Sequence, residues 1–112
     1  MTFKLEEKCD NSKNREFFYR AKINKDIKDV YLGTCFLEPN EKNRKVGPGR
    51  GHEELLYLLK GQIKITLKEE DIILNGGEIY FIPDGNKVVL ENLTEKRIYF
   101  FVAGGHTKIH SH

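Results

Sequence analysis

The sequence predicts an all-β sandwich or barrel. Short β-type runs recur every eight to twelve residues, Gly, Pro and Asn separate them, and no stretch carries a helical 3.6-residue period. The chain has 112 residues, which suits one domain, since a single hydrophobic core usually serves about 100–150 residues.

In chain order, residues 1–15 are charged and poorly periodic and are expected to form an N-terminal arm or loop, with the barrel spanning 16–103 and a tail 104–112. The first strands are expected at 17–23 and 30–37, followed by a turn-rich connection around Pro39 and Asn40. Residues 55–59, Leu-Leu-Tyr-Leu-Leu, are apolar on both faces and predict a strand buried in the middle of the structure. Residues 62–68 alternate strictly, with Ile63, Ile65 and Leu67 on one face, as a strand does with one side in water. Gly61 separates these two runs and predicts a hairpin between them. Further strands are expected at 71–74, 78–82, 87–90 and 97–103, broken by Gly76-Gly77, Pro83-Asp84-Gly85 and Asn92-Leu93-Thr94. No helix is required.

Composition excludes several classes. Hydrophobic residues make up 38% and charged ones 32%, polar for a globular domain yet too apolar for a disordered one. The net charge of +2 divides into 12 basic and 8 acidic residues over 1–50, and 7 basic and 9 acidic over 51–112. Neither half has the clustered basic surface of a nucleic-acid binder. No apolar run approaches the roughly twenty residues of a membrane helix, and residues 1–7 hold no apolar stretch for a signal peptide. The expectation is a cytoplasmic protein without nucleic-acid or membrane partners, in which Cys9 and Cys35 are reduced thiols. Cys35 lies in an apolar strand as a small hydrophobe, while Cys9 sits in the charged lead with no evident base. The only serines, Ser12 and Ser111, lie outside the strand pattern and exclude serine-nucleophile chemistry. No phosphate-cradling or dinucleotide fingerprint is present.

Between Gly51 and Asn92 the pattern becomes more specific. Gly77, five residues, Pro83-Asp84-Gly85, six residues and Asn92 resemble the second conserved motif of the cupins. Glu54, six residues and Gly61 resemble the end of their first motif, and the 15 residues between the motifs match small single-domain cupins. The resemblance covers roughly residues 30–103. It implies a double-stranded β-helix, a jelly-roll barrel holding its site inside. Gly61 and Gly85 stand where tight reversals need a positive φ, and Pro83 ends a strand.

The resemblance also implies what is missing. Metal-dependent cupins draw two histidines and a glutamate from the first motif and a third histidine from the second. Here the histidine positions fall on Pro48 and Arg50, or on Gly47 and Gly49, and the last on Val88, so only Glu54 remains of four ligands. The expectation is therefore no resident cofactor; a divalent transition metal, if held, would use His52 and Glu54, with His106 as a further ligand. His52 lies two residues before Glu54, on the same face of an unbulged strand, and Arg50 is expected to join them. One outcome is an Arg50–Glu54 ion pair with His52 hydrogen-bonded beside it. The other is a ligand site of Arg50, His52, Glu54 and Tyr57, in which Arg50 forks onto a carboxylate or phosphate and His52 and Glu54 act as acid and base. Tyr80 is a further aromatic candidate, and Gly47-Pro48-Gly49-Arg50-Gly51 is either a flexible entry to the strand or a backbone cradle for an anion. His106, His110 and His112 are expected in a frayed tail, with His106 close enough to the last strand to reach the barrel mouth.

Three functions follow as expectations. The first is binding of a small anionic metabolite, a sugar acid or sugar phosphate, without the three-histidine metal site. The second is a cupin enzyme, either a metal-independent isomerase or epimerase or a metal enzyme with an unusual His/Glu ligand set. The third is a structural homodimerisation module, with residues 1–30 as the interface, because an exposed sheet edge needs cover.

Overall fold

The computed structural model describes Thr2 and residues 4–107. Helix α1 (Leu5–Asp10) precedes strands β1 (Glu16–Tyr19), β2 (Tyr31–Leu37), β3 (Arg44–Val46), β4 (His52–Leu58), β5 (Gln62–Thr66), β6 (Asp71–Asn75), β7 (Ile79–Ile82), β8 (Val88–Asn92) and β9 (Ile98–His106). They form a five-stranded sheet in the order β1-β2-β9-β4-β7 and a four-stranded sheet in the order β3-β8-β5-β6. Every pairing is antiparallel. The sheets face each other across a core that includes Leu37, Leu56, Leu58, Ile82 and Phe100 from one side and Ile63, Ile65 and Leu90 from the other, all without solvent exposure. Each such side chain stabilises the fold by roughly 1.5–3 kcal/mol. No described helix is long and apolar enough to cross a membrane.

The structure corrects the expected hairpin. β4 pairs with β7 and β9, whereas β5 pairs with β6 and β8. Gly61, at φ +92°, therefore carries the chain from one sheet to the other instead of folding it back on its neighbour. Gly77, at φ +88°, makes the return, donating its N–H to the Leu58 carbonyl at 2.7 Å. Apart from the β1–β2 and β5–β6 pairs, each consecutive strand passes to the other sheet, and this alternation builds the double-stranded architecture.

The expectation that residues 55–59 are buried on both faces is also corrected. Leu56 and Leu58 are fully buried, while Leu55, Tyr57 and Leu59 are 45%, 37% and 39% exposed. Cross-strand register carries this outward parity across the sheet, although on β2 Thr34 and Phe36 of that face are covered, at 0% and 4% exposed. One row runs Tyr19, Leu32, Ala103, Leu55, Phe81, and the adjacent row runs Phe17, Thr34, Phe101, Tyr57, Ile79. The outward face of the other sheet, by contrast, carries Lys64 and Glu91 as an ion pair at 3.3 Å beside Ile73.

Three boundaries move. The first strand ends at Tyr19, where residues 20–27 turn through bonds such as Ile23 N–H to the Arg20 carbonyl at 2.8 Å. The charged lead contains α1, whose Cys9 is fully buried and donates its S–H to the Arg15 carbonyl at 3.4 Å. Six residues are too few to show a helical period, and such a helix is held by packing on β1 and β2 and not by its own propensity. β9 continues through Gly104 and Gly105 to His106, so these residues belong to the barrel and not to a tail. His110, Ser111 and His112 lie outside the described residues.

Asn92, which ends the second motif, is 1% exposed. Its amide donates to the carbonyls of Glu38 at 2.9 Å and Lys96 at 2.7 Å, and its oxygen accepts from Thr94 N–H at 2.9 Å and Thr94 Oγ1 at 2.8 Å. It thereby satisfies backbone groups that the crossover from β8 to β9 leaves without ladder partners.

Candidate ligand site

The site is organised by one line across three strands. Tyr31 of β2, Gly104 of β9 and Glu54 of β4 are register partners, all facing the barrel interior. A Cβ at Gly104 would collide with Tyr31 Oη and the Glu53 carbonyl, so only glycine lets the phenol cross β9. Tyr31 Oη thus reaches Glu54 and donates to Oε2 at 2.6 Å. Glu54 is 6% exposed. Burial pushes its carboxyl above the usual glutamate range, while the Tyr31 hydrogen bond and the Lys87 charge pull it down. Burial, then the bond to Glu54, pushes the Tyr31 phenol up.

One register step towards the mouth, His52 of β4 stands opposite His106 of β9, with ring centroids 4.3 Å apart. Asp29 accepts from the His106 backbone N–H at 2.7 Å and also contacts its Nδ1. These two bonds hold the Asp29 carboxyl below the usual aspartate range. Asp84, from the turn after β7, accepts from Gly51 N–H and Thr107 Oγ1, each at 2.8 Å. The Thr107 bond, then that of Gly51, holds the Asp84 carboxyl low. Lys87 Nζ donates to the carbonyls of Gly47 at 2.7 Å and Pro48 at 3.0 Å, fastening the start of the glycine-rich segment to the residue before β8.

These groups surround a cavity of about 410 Å³ whose wall includes Tyr31, His52, Glu54 and His106, with Arg20, Lys22 and Lys28 at its rim. A further space of about 320 Å³ shares Glu16, Phe18, Gly47 and Glu54 with it and runs inward to Cys35, Lys45 and Lys87. The barrel interior is therefore open at this end. Its volume suits a small metabolite.

Of the residues expected here, His52, Glu54 and His106 line the cavity, and Arg50 and Tyr57 do not. Arg50 is exposed in the turn before β4, and Gly51, at φ +82°, breaks the alternation that was to carry it inward. Its carbonyl, not its guanidinium, meets His52, at 3.3 Å from Nδ1. The Arg50–Glu54 ion pair is replaced by the Tyr31–Glu54 bond. Tyr57 lies on the outward face, at odd parity to Glu54. Tyr80 faces inward, packed against the core. Tyr31, Gly104, Asp29 and Lys87 were not singled out from the sequence, and only a correct strand register would have brought them to Glu54.

The donor set does not fit the metal centre of metal-dependent cupins. Val88, at the position of the third histidine, is 3% exposed in the core, and Pro48 and Arg50 supply no ligand. Among the described residues no three His, Cys, Asp or Glu side chains converge as a metal site. Both described thiols are buried and unpaired, with Cys9 pushed up to about 11 and Cys35 higher still, burial being the main cause in each. Neither is a poised nucleophile.

Comparison with known proteins agrees with this architecture. No protein-family model matches the sequence, and no curated protein matches it. Solved structures do match. A cupin protein from Bacteroides fragilis superposes with a TM-score of 0.67 at 15% identity, covering 90% of this chain and 85% of that one. An RmlC-like cupin with a double-stranded β-helix fold from Methanocaldococcus jannaschii gives 0.58 at 22% identity, covering 70% and 71%. The Cnp3 cupin domain of Schizosaccharomyces pombe gives 0.61 at 13% identity over 70% of this chain, which spans 56% of that structure's length. With the two facing sheets described above, these likenesses show that the chain has the cupin fold.

Proposed function

We propose that this cupin-fold domain binds a small anionic metabolite, of the sugar-acid or sugar-phosphate class, in the open end of the barrel. The observation that carries the reading is the imbalance of committed charge around the cavity. Each carboxylate in its wall already has a neighbour: Glu54 has Tyr31, Asp29 has His106, and Glu16 has Arg44 at 3.0 Å. Among the described residues Lys22 and Lys28 at the rim have no ion-pair partner, and neither does the Arg20 guanidinium, which stands over the Phe18 ring at 5.8 Å. A ligand anion would complete these cations, with His52 and the Tyr31–Glu54 pair offering hydrogen bonds to its hydroxyls. The buried, unpaired thiols support a reducing, cytoplasmic setting.

Isothermal titration with glucuronate, glucose 6-phosphate and neutral glucose tests this. Binding of an acid or phosphate that weakens with salt, and by about tenfold in Lys22→Glu/Lys28→Glu, is the expected result. Failure of every anion to bind, or equal binding of glucose, overturns it.

A second reading, a metal-independent isomerase or epimerase, is favoured by one observation. Glu54 is a buried carboxyl raised by desolvation within the same wall as His52, as a general base and its acid partner require. Deuterium incorporation into a bound sugar acid in D2O, lost in Glu54→Gln, would establish it; binding without exchange removes it.

A further inference from the structure

Cations meet the barrel interior at two separate places. Arg20, Lys22 and Lys28 stand at the rim of the outer space, all from the segment that connects β1 to β2 in the five-stranded sheet. Lys45 and Lys87 line the inner space; Lys45 lies on β3 and Lys87 just before β8, both strands of the four-stranded sheet. The two cationic groups therefore approach the interior from opposite sheets.

Lys87 is the more firmly placed of the inner pair. Its Nζ donates to the Gly47 carbonyl at 2.7 Å and the Pro48 carbonyl at 3.0 Å, and an ammonium has three donors, so one N–H is left. Among the described residues neither Lys45 nor Lys87 forms an ion pair. The two acids in the same wall already have donors, Tyr31 on Glu54 and Arg44 on Glu16. An ammonium held by neutral carbonyls keeps its full charge for an incoming anion. The outer and inner spaces share Glu16, Phe18, Gly47 and Glu54. At about 410 and 320 Å³ each alone is at the low end of the roughly 300–1,000 Å³ of ligand pockets, and joined they suit one elongated molecule.

We infer that the ligand carries an acid at each end: a phosphorylated sugar acid, with its phosphate on Arg20, Lys22 and Lys28, its hydroxyls along His52 and the Tyr31–Glu54 pair, and its carboxylate on Lys87 and Lys45. This assignment rests on the anion-binding function proposed above and names the class within it. Three cations, one of them a planar guanidinium, match a phosphate charge of about −2. The smaller inner group matches a single carboxylate.

Isothermal titration of the full chain with 6-phosphogluconate, glucose 6-phosphate and gluconate tests it, with far-UV circular dichroism checking the fold of each variant. 6-Phosphogluconate is expected to bind at least about tenfold more tightly than either single acid, because its second end engages within one complex. Lys87→Met should shrink its advantage over glucose 6-phosphate to about twofold or less. Lys87 also fastens Gly47 and Pro48, so Lys45→Met, at an exposed position of β3, gives a second reading and should cut the advantage about threefold. 6-Phosphogluconate binding no tighter than glucose 6-phosphate or gluconate overturns the inference and leaves the single-anion function standing. An advantage that both lysine variants preserve overturns it equally. Failure of all three compounds to bind overturns that function as well.

Discussion

Replacing Tyr31 with Phe removes one oxygen and leaves the ring that packs near Phe18 and His52, at centroid distances of 5.9 and 6.3 Å. The lost group is the 2.6 Å donor to a carboxyl that is 6% exposed. A hydrogen bond to an ionised group contributes about 1.5–3 kcal/mol and one to a neutral group about 0.5–1.5 kcal/mol. The cost of Tyr31→Phe therefore depends on the charge of Glu54. Burial holds the folded-state pKa of Glu54 above its ordinary value of 4.5. Its contribution to stability is then fully present below 4.5 and is lost as pH rises through the folded value, because the unfolded chain releases the proton first. Tyr31→Phe removes a donor that favours the charged form, so it raises the folded value further and deepens that loss. Urea unfolding followed by far-UV circular dichroism at pH about 4 and about 8 should show a cost near 1 kcal/mol at the lower pH and about 2–3 kcal/mol at the higher. In a Glu54→Gln background the cost should be small and equal at both. A pH-independent cost in the wild-type background, or less than about 0.5 kcal/mol at either pH, refutes the assignment of Tyr31 as the partner of an ionisable buried Glu54.

Two further outcomes follow from the packing. Gly104→Ala should cost at least about 2 kcal/mol, because the new methyl meets the Glu53 carbonyl as well as the flexible phenol; its loss should be non-additive with Tyr31→Phe in a double-mutant cycle of urea unfolding. Asn92→Ala, which strips four hydrogen bonds from a residue 1% exposed, should cost about 2–4 kcal/mol in the same assay while leaving ligand titrations at the remote cavity unchanged.

Much of the fold is legible because strand alternation and turn chemistry are local. Ile63 and Ile65 face the core as their spacing requires, and Gly61 and Gly85 take the positive φ, +92° and +71°, expected at breaks between strands, although the Gly61 break is a passage between sheets and not a hairpin. His52 and Glu54 share a cavity wall for the same reason, being two residues apart in one strand. Arg50 fails because Gly51 ends that strand before reaching it, and parity has no meaning beyond a strand end. Tyr57 fails because it stands three residues from Glu54 in one strand, an odd spacing that puts the two side chains on opposite faces.

The sequence alone determined the all-β class, the turn positions, and the depletion of the histidines a cupin metal centre uses, since each follows from residue identity over a few neighbouring positions. Tertiary structure decided three things. Gly61 passes the chain between sheets, Glu54 meets Tyr31 from 23 residues away across Gly104, and the apolar rows of the five-stranded sheet face outward. Each depends on which strands become neighbours. That choice is made by packing and register between segments far apart in the chain, and a period of two along a single strand carries no record of it.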